Sequence, residues 1–168
     1  MTPQLWDFAG IDGLQMAKAL FGEAIDRIAV FQSIDTSLSD CPCSVLRLCE
    51  TNFRVVGYNK FDLQLVLQQA TIDRRVWLRQ FHWLDAIVLP DSLNSQLPDL
   101  AMPKLPHRLP LPLNCAAPAR INSVSVLIWR HLVNGQAAIE LHTATRNLPL
   151  IQTQLVAIAD QQTSFLSS

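Results

Sequence analysis

The dipeptide Asn134-Gly135 constrains the fold more than any other feature of the sequence. It separates two segments, 123–133 and 136–143, that are rich in β-branched and other apolar residues. Asparagine and glycine both tolerate a positive φ, which a type I′ turn needs at its two central positions. The sequence therefore predicts a β-hairpin here, with a second strand central enough to bury Ile139.

Shorter segments with alternating apolar residues predict further strands. The most informative of them is 75–83, because alternation would place aromatic rings and Arg79 on one of its faces. A short apolar run that ends at Pro90 fits a buried strand, since proline cannot continue a central strand. The other predicted strands are 44–50, 53–58 and 86–89.

Helical spacing of apolar residues predicts helices at 11–21, at 24–32 and at 148–165. Asp12 can cap the first helix, and Pro149 lies in the first turn of the last one. Residues 62–69 fit either a strand or a helix. Strands joined by hairpins, with helices at both ends, predict an α+β fold in which an antiparallel β-sheet has flanking helices. The length of 168 residues predicts a single domain, 1–168.

Residues 97–118 contain six of the ten prolines of the chain. This density argues against a regular helix or a central strand. The segment also carries several leucines, which need burial, so we expect an ordered loop folded over the domain. Long ordered loops often carry function, and a lid without any ligand role is the alternative.

Composition narrows the class of protein. Hydrophobic residues make up 49% of the chain and charged residues 16%, which excludes a disordered chain. The net charge of -1 argues against nucleic acid as a partner. No apolar run reaches the roughly 20 residues that span a bilayer, and the N-terminus does not resemble a signal peptide. We therefore expect a cytoplasmic protein without a membrane segment.

The sequence predicts no cofactor and no metal. It has no glycine-rich phosphate loop, and its histidines lack the spacing of metal ligands. Cys41 and Cys43 are separated by one residue, which is too tight for the usual zinc pair. In a cytoplasmic protein the thiols are expected to be reduced. The four cysteines are Cys41, Cys43, Cys49 and Cys115.

Two charged residues stand out in apolar strands, Arg79 among aromatic residues and Glu140 among aliphatic ones. A buried charge is costly unless it is paired. Either the two side chains point outward or pair with each other, or they hold a small anionic ligand in an apolar pocket. Arginine can bind a carboxylate with two hydrogen bonds, and a carboxylate can accept one from a hydroxyl.

The stretch Arg-Val-Trp-Leu-Arg-Gln that ends at Gln80, followed by a strand ending at Pro90, resembles a signature of the chorismate lyase family. The segment Ser33-Ile34-Asp35-Thr36 is similar to another family element, and Glu140 occupies the place of a glutamate in its last hairpin. The matched pieces cover a minor part of the chain. Gln80 stands where the family has glutamate, and 109–112 replace its Pro-Leu-Gly element.

The resemblance implies a chorismate-lyase-like fold and the conversion of chorismate to 4-hydroxybenzoate and pyruvate, a step of ubiquinone biosynthesis, without a cofactor. It implies that Arg79 binds the ring carboxylate and Glu140 meets the ring hydroxyl. It also implies ligand contacts from Ser33, Ile34 and Leu111. The partner would be a small aromatic carboxylate.

Two other functions remain open from the sequence. One is a ligand-binding domain that keeps Arg79 as a carboxylate anchor without turnover. The other is an interaction protein, because four tryptophans and a leucine-rich loop on a chain with few charges suit an apolar surface that binds a protein partner. Single-stranded nucleic acid, stacked on Trp77 and Trp83, is the least favoured partner.

Overall fold

The computed structural model describes residues 3–58 and 62–166, without the side chains of 159 and 161–166. It contains two five-stranded antiparallel sheets rather than the single sheet expected from the sequence. The α+β class is confirmed. The prediction of one domain over 1–168 stays a prediction, and its residues 1–2, 59–61 and 167–168 lie outside the described part of the chain.

The first sheet has the strand order β2-β3-β4-β1-β5, and the second has the order β6-β10-β9-β8-β7. Strands of the first sheet are β1 (Gln4–Ala9), β2 (Ser33–Leu38), β3 (Cys41–Cys49), β4 (Asn52–Gly57) and β5 (Trp77–Gln80). Strands of the second sheet are β6 (Leu84–Pro90), β7 (Met102–Pro103), β8 (Cys115–Ile121), β9 (Val124–Val133) and β10 (Gln136–Ala144). The helices are α1 (Gly13–Phe21), α2 (Leu63–Thr71), α3 (Leu97–Leu100) and α4 (Leu148–Leu166).

The sheets stack face to face between two layers of helices. One face of the first sheet packs Phe8, Val45 and Phe53 together with side chains of α1 and α2. One face of the second sheet packs Ile128, Ile139 and Leu141 with α4 and the proline-rich segment. The remaining two faces meet each other around Trp129. Because strand residues alternate between faces, every second side chain points into this inter-sheet layer.

The predicted hairpin is confirmed. Val133 pairs with Gln136 across the two-residue turn, and both turn residues have positive φ, 51° at Asn134 and 80° at Gly135. Ile139 is fully buried, as predicted. The two flanking strands, β9 and β10, are the longest of the second sheet, and β10 lies between β9 and β6.

The closing helix is confirmed as α4, and 62–69 resolves in favour of a helix. Asp62 caps α2 by accepting a hydrogen bond from the backbone N–H of Gln64 at 3.1 Å. The burial pattern agrees with a helix, because Leu63 and Leu67 are buried whereas Leu65, which a strand would place on the same face, is exposed. The periodicity alone could not make this distinction.

The helix predicted at 24–32 is wrong. Only a 3₁₀ turn, Glu23–Arg27, forms there, and Ile28 already has extended backbone. Phe31 has a φ of 63°, and its backbone N–H donates to the Arg47 carbonyl of β3. Ile25 is buried beneath α1, so one turn is enough to bury the apolar side chain that produced the helical spacing.

The proline-rich segment departs from expectation at its end. Pro118 lies inside β8, with its carbonyl accepting from the backbone N–H of Lys104 at 2.8 Å on the side of β7. Its nitrogen faces the same side, where β7 is only two residues long, so the missing N–H is tolerated. Leu97 and Leu111 are buried as predicted, but Leu105 is 86% exposed. The predicted strand 75–83 is likewise shorter than expected, because only β5 pairs with β1.

Candidate functional site

A chain of polar side chains crosses the inter-sheet layer. It begins at Asp7 of β1, whose two carboxylate oxygens accept from Arg54 of β4 at 2.8 and 3.1 Å. The register places Asp7 directly opposite Arg54, so both side chains point toward the second sheet. Their side chains are only 6% and 12% exposed, so this two-pronged ion pair is almost completely removed from water.

Arg54 extends the chain to the second sheet. Its Nη1 donates to Nδ1 of His142 at 3.0 Å. Because a guanidinium can only donate, Nδ1 must be the acceptor and the ring hydrogen of His142 lies on Nε2. That Nε2 is 2.5 Å from Oε1 of Glu140, two residues earlier on the same face of β10. The arginine thus fixes which nitrogen of His142 carries its proton.

The other oxygen of Glu140 meets a second histidine. Oε2 lies 2.9 Å from Nε2 of His131 on β9. On its far side, Nδ1 of His131 is 3.0 Å from the hydroxyl of Ser44, which itself donates to Asp35 at 2.6 Å. Since the single hydroxyl hydrogen of Ser44 goes to Asp35, His131 must donate from Nδ1. One proton is therefore left for the contact between His131 and Glu140.

That remaining proton can reside on either partner, as an imidazolium facing a carboxylate or an imidazole facing a carboxylic acid. Burial lowers the pKa of His131, against the opposing effect of Asp35, and so disfavours the charged ring. Burial also acts to raise the pKa of Asp35, but hydrogen bonds from His131 and Ser44 outweigh it and leave that pKa lowered. Asp35 is accordingly the ionised end of the chain.

Aromatic rings enclose the histidines. The ring of Trp129 stacks on His131 with 3.9 Å between centroids, and it meets His142 edge-on at 6.0 Å. Its Nε1 donates to the hydroxyl of Ser33 at 2.8 Å. Trp129, His131 and Glu140 are all fully buried. The centre of the polar chain is therefore sealed by side chains that are themselves hydrogen-bonded.

Each end of this polar chain of side chains reaches a surface cleft. The first, of about 390 Å³, is lined by Asp35 and Ser44 together with the Asn134-Gly135 turn. The second, of about 520 Å³, is lined by Arg54 and His142 at the opposite end of β9 and β10. Neither cleft is lined by Glu140. The polar chain thus connects two clefts through a closed interior.

The structure separates the five residues predicted from the sequence. Arg79 is exposed on the edge strand β5, with its guanidinium 5.6 Å from the ring centre of Trp77. Glu140 lies in the second sheet, and Ser33 is buried against Trp129. Ile34 packs on the helix side of the first sheet. Leu111 is buried, and its backbone N–H and carbonyl are both held by the side-chain amide of Asn94.

The sequence analysis missed His131, His142, Arg54, Asp7 and Ser44. A signal for two of them was present. A two-residue turn at Asn134-Gly135 fixes the hairpin register, which sets Trp129 opposite Glu140 and His131 opposite Ala138. These residues share one face, so an acid with two histidines beside it follows from the register alone. The first-sheet partners carry no such local signal.

All four cysteines are free thiols, and burial raises the pKa of Cys43 to about 12. In 3–58 and 62–166, no group of three or more His, Cys, Asp or Glu side chains is arranged to hold a metal ion. Within the same residues, no helix has the length and apolar character needed to cross a bilayer.

Among the solved structures that share this fold are an aminomethyltransferase and a sarcosine oxidase. The aminomethyltransferase T of the glycine cleavage system from Bartonella henselae matches 92% of this chain with a TM-score of 0.73 and 13% sequence identity. A heterotetrameric sarcosine oxidase from Corynebacterium sp. U-96, in complex with pyrrole 2-carboxylate, matches 95% with a TM-score of 0.69 and 14% identity. This chain spans 43% of the first protein's chain and 80% of the second's. At such identities the likeness shows the fold alone.

No protein-family model matches the sequence, and no curated protein matches it. The resemblance to chorismate lyase is wrong, because the structural neighbours are an aminomethyltransferase and a sarcosine oxidase chain. The predicted conversion of chorismate to 4-hydroxybenzoate and the predicted role in ubiquinone biosynthesis are therefore wrong as well. The physical reason is that the Trp77-Leu78-Arg79 match is a short exposed edge strand of one sheet, whereas Glu140 belongs to the other.

Proposed function

We propose that this protein is a non-catalytic, subunit-type domain that binds another polypeptide in an enzyme system of amino-acid turnover. The observation that carries the proposal is a surface at the edge of the first sheet, named here the aromatic edge and formed by Trp77, Arg79, Phe81 and Trp83, of which only Phe81 is partly buried. Trp77 is 50% exposed and Trp83 is 57% exposed.

The aromatic edge consists of two contacting pairs of side chains. Arg79 covers the ring of Trp77, and the rings of Phe81 and Trp83 meet edge-to-face at 5.4 Å between centroids. Trp77, Arg79 and Phe81 alternate along the chain and lie on the face of the first sheet that also carries Asp7, where Phe81 packs into the inter-sheet layer and Trp77 stays exposed. Tryptophan and arginine are the residues most enriched at the energetic centres of protein interfaces. The composition of this edge therefore supports a protein partner.

The backbone at this edge also supports docking. β5 pairs with β1 on one side only, because it is the last strand of the first sheet. Its other side presents N–H and carbonyl groups that a strand of a partner can pair with. Side-chain recognition by Trp77 and backbone pairing along β5 would then act together.

The buried chain argues against a catalytic role for Glu140. Both of its carboxylate oxygens are occupied by histidines, and the residue is fully buried. A general acid or base must come within hydrogen-bond reach of its substrate. Glu140 does not line either cleft at the ends of the chain. Its place favours a structural role in joining the two sheets.

The comparisons support the choice of partner. The match to the sarcosine oxidase chain takes in most of both chains, and that protein is a heterotetramer. By contrast, more than half of the aminomethyltransferase chain lies outside the match. A domain of this size that works beside other chains fits the match to sarcosine oxidase better than the match to the aminomethyltransferase. We therefore expect the partner to be a chain of an amino-acid-oxidising or aminomethyl-transferring enzyme.

The test is the mass of the protein, tagged at its native expression level and purified gently from its own cells. Native mass spectrometry should find a stoichiometric complex well above 18.8 kDa, which contains an enzyme chain of that class. Replacing Trp77→Ser together with Arg79→Glu should release the 18.8 kDa chain. Leu65→Ser, at an exposed position of helix α2, is the matched control and should leave the complex intact. A parent protein that is monomeric, or an isolated chain that turns over sarcosine, contradicts the proposal.

A further inference from the structure

The cleft at the Arg54 end of the polar chain has the chemistry of an anion-binding site. Its lining includes the guanidinium groups of Arg54 and Arg146 and the ring of His142, and it includes no aspartate or glutamate. We propose that this cleft binds a small organic anion with one carboxylate group and a flat apolar body. The inference does not depend on the proposed partner binding.

Two of the five N–H groups of the Arg54 guanidinium are left for a ligand. A guanidinium carries five N–H groups, and three of them are used on Asp7 and His142. The ion pair with Asp7 and the hydrogen bond to His142 hold the guanidinium plane in place, so the remaining N–H groups are presented in a fixed direction. A rigid guanidinium loses less side-chain entropy on binding a carboxylate than a free one does.

Arg146 supplies the uncompensated charge. It lies in the 3₁₀ turn Thr145–Asn147 that follows β10, and it is exposed at the mouth of the cleft. Among the described residues it has no ion-pair or hydrogen-bond partner, whereas Arg75 and Arg130 are each paired with an aspartate. A carboxylate between Arg146 and Arg54 would meet two cations of which only one is already neutralised.

The apolar side chains in the wall of the cleft favour a ligand whose body is flat and apolar. Trp83 lines it with a half-exposed indole, and Leu84 and Leu127 provide further apolar surface. A flat ring lying on the indole would bury apolar area on both partners. A single negative charge suits the site, because Asp7 and Glu140 lie behind Arg54 and His142 and would repel a second one. The volume of about 520 Å³ accepts a ligand of one or two rings.

The experiment is an NMR titration of the isolated chain with benzoate, and with benzylamine as a ring of similar size and opposite charge. Benzoate should bind with a Kd on the order of 1 mM and shift the backbone amides of Ser125, Thr143 and Arg146. Benzylamine should leave these amides in place. Arg146→Gln should weaken benzoate binding about tenfold, since it removes a charged hydrogen-bond partner.

Arg27→Gln, an exposed arginine in the 3₁₀ turn Glu23–Arg27, is the matched control and should bind benzoate as the parent does. Arg146 has no described partner, so its replacement should preserve the dispersion of the amide spectrum. The proposal is overturned if benzylamine shifts the same amides as strongly, if folded Arg146→Gln binds like the parent, or if benzoate produces no shifts at about 10 mM. Trp83 belongs to both surfaces, but the titration uses the isolated chain and alters neither Trp77 nor Trp83, so failure here leaves the proposed partner binding unaffected.

Discussion

Arg54 of the first sheet donates a hydrogen bond to His142 of the second sheet, with 3.0 Å between Nη1 and Nδ1. This contact joins two sheets whose facing surfaces combine an apolar cluster around Trp129 with the polar chain. Because Arg54 is also paired with Asp7, the two sheets share a buried charge pair at their interface. The relative position of the sheets is specified by polar geometry as well as by apolar packing.

Arg54→Met should destabilise the protein strongly. It leaves the carboxylate of Asp7 buried without its counter-charge, which costs about 3–5 kcal/mol and corresponds to a fall in melting temperature of roughly 10 °C. Adding Asp7→Leu should recover part of the loss, because no charge then remains unpaired. Thermal denaturation of the parent and both variants measures this. Equal melting temperatures for parent and Arg54→Met would show that the buried pair does not stabilise the sheets.

Acidification should destabilise the protein in two steps. The pKa of His131 is lowered in the folded state, so below its ordinary value near 6.5 the unfolded chain binds more protons and stability falls with pH. The pKa of Asp35 is lowered as well, and its contribution is lost below about pH 4. Melting temperatures measured from pH 7.5 downward should show a decline between pH 6.5 and 5, then a steeper one.

The first acid step should belong to His131. His131→Gln should lower the melting temperature at pH 7.5 but flatten its dependence on pH between 6.5 and 5. His82→Gln, a change outside the polar chain, is the control and should keep the profile of the parent. A parent protein whose melting temperature rises on acidification would contradict this prediction.

The cysteines should differ sharply in reactivity. Burial raises the pKa of Cys43 to about 12, so at pH 8 only about one molecule in ten thousand carries the thiolate there. Cys49 is exposed and open to reagents. Labelling of the native protein with iodoacetamide at pH 8, followed by peptide mass spectrometry, should modify Cys49 and spare Cys43. Labelling of both at the same rate would mean that β3 opens readily.

The hairpin turn provides a test of backbone strain. Gly135 has a φ of 80°, and a Cβ added there would meet no atom within 4 Å, so any cost of a side chain comes from the backbone. Gly135→Val should cost about 1–2 kcal/mol and lower the melting temperature by several degrees. Gly135→Asn should cost much less, because asparagine tolerates this conformation. An unchanged melting temperature in Gly135→Val would argue against the I′ turn.

Local signals predicted much of the fold. The Asn134-Gly135 turn and the closing helix α4 each depend on neighbours in sequence, and both are present. The strand ending at Pro90 is present as well, but as the edge strand β6 with Val88 exposed, and not as the buried strand that was expected. The helix expected at 24–32 failed because one buried side chain, Ile25, needs no more than a 3₁₀ turn. The division into two sheets was not predictable in this way, since strand pairing over long separations has no local signature.

The polar chain, too, was predictable only where its residues lie close together in sequence. His131, Glu140 and His142 follow from the register of one hairpin, whereas Arg54 and Asp7 come from strands paired to each other in the other sheet. Charge in an apolar strand drew attention to Glu140, with an outward position, a pair with Arg79 or a bound ligand as the alternatives, whereas its partners are two buried histidines. Alternation also placed Arg79 on a face with Trp77, without revealing that this face lies open at the sheet edge.

The central claim is that the aromatic edge contacts a partner chain, and site-specific photo-crosslinking in the native cells tests it most directly. Replacing Trp77→p-benzoylphenylalanine should yield, on irradiation, one prominent adduct with a chain of an amino-acid-oxidising or aminomethyl-transferring enzyme. The same replacement at Leu65, exposed on α2, should give no such adduct. A position-77 probe that yields no adduct, or the same adducts as position 65, would contradict the account.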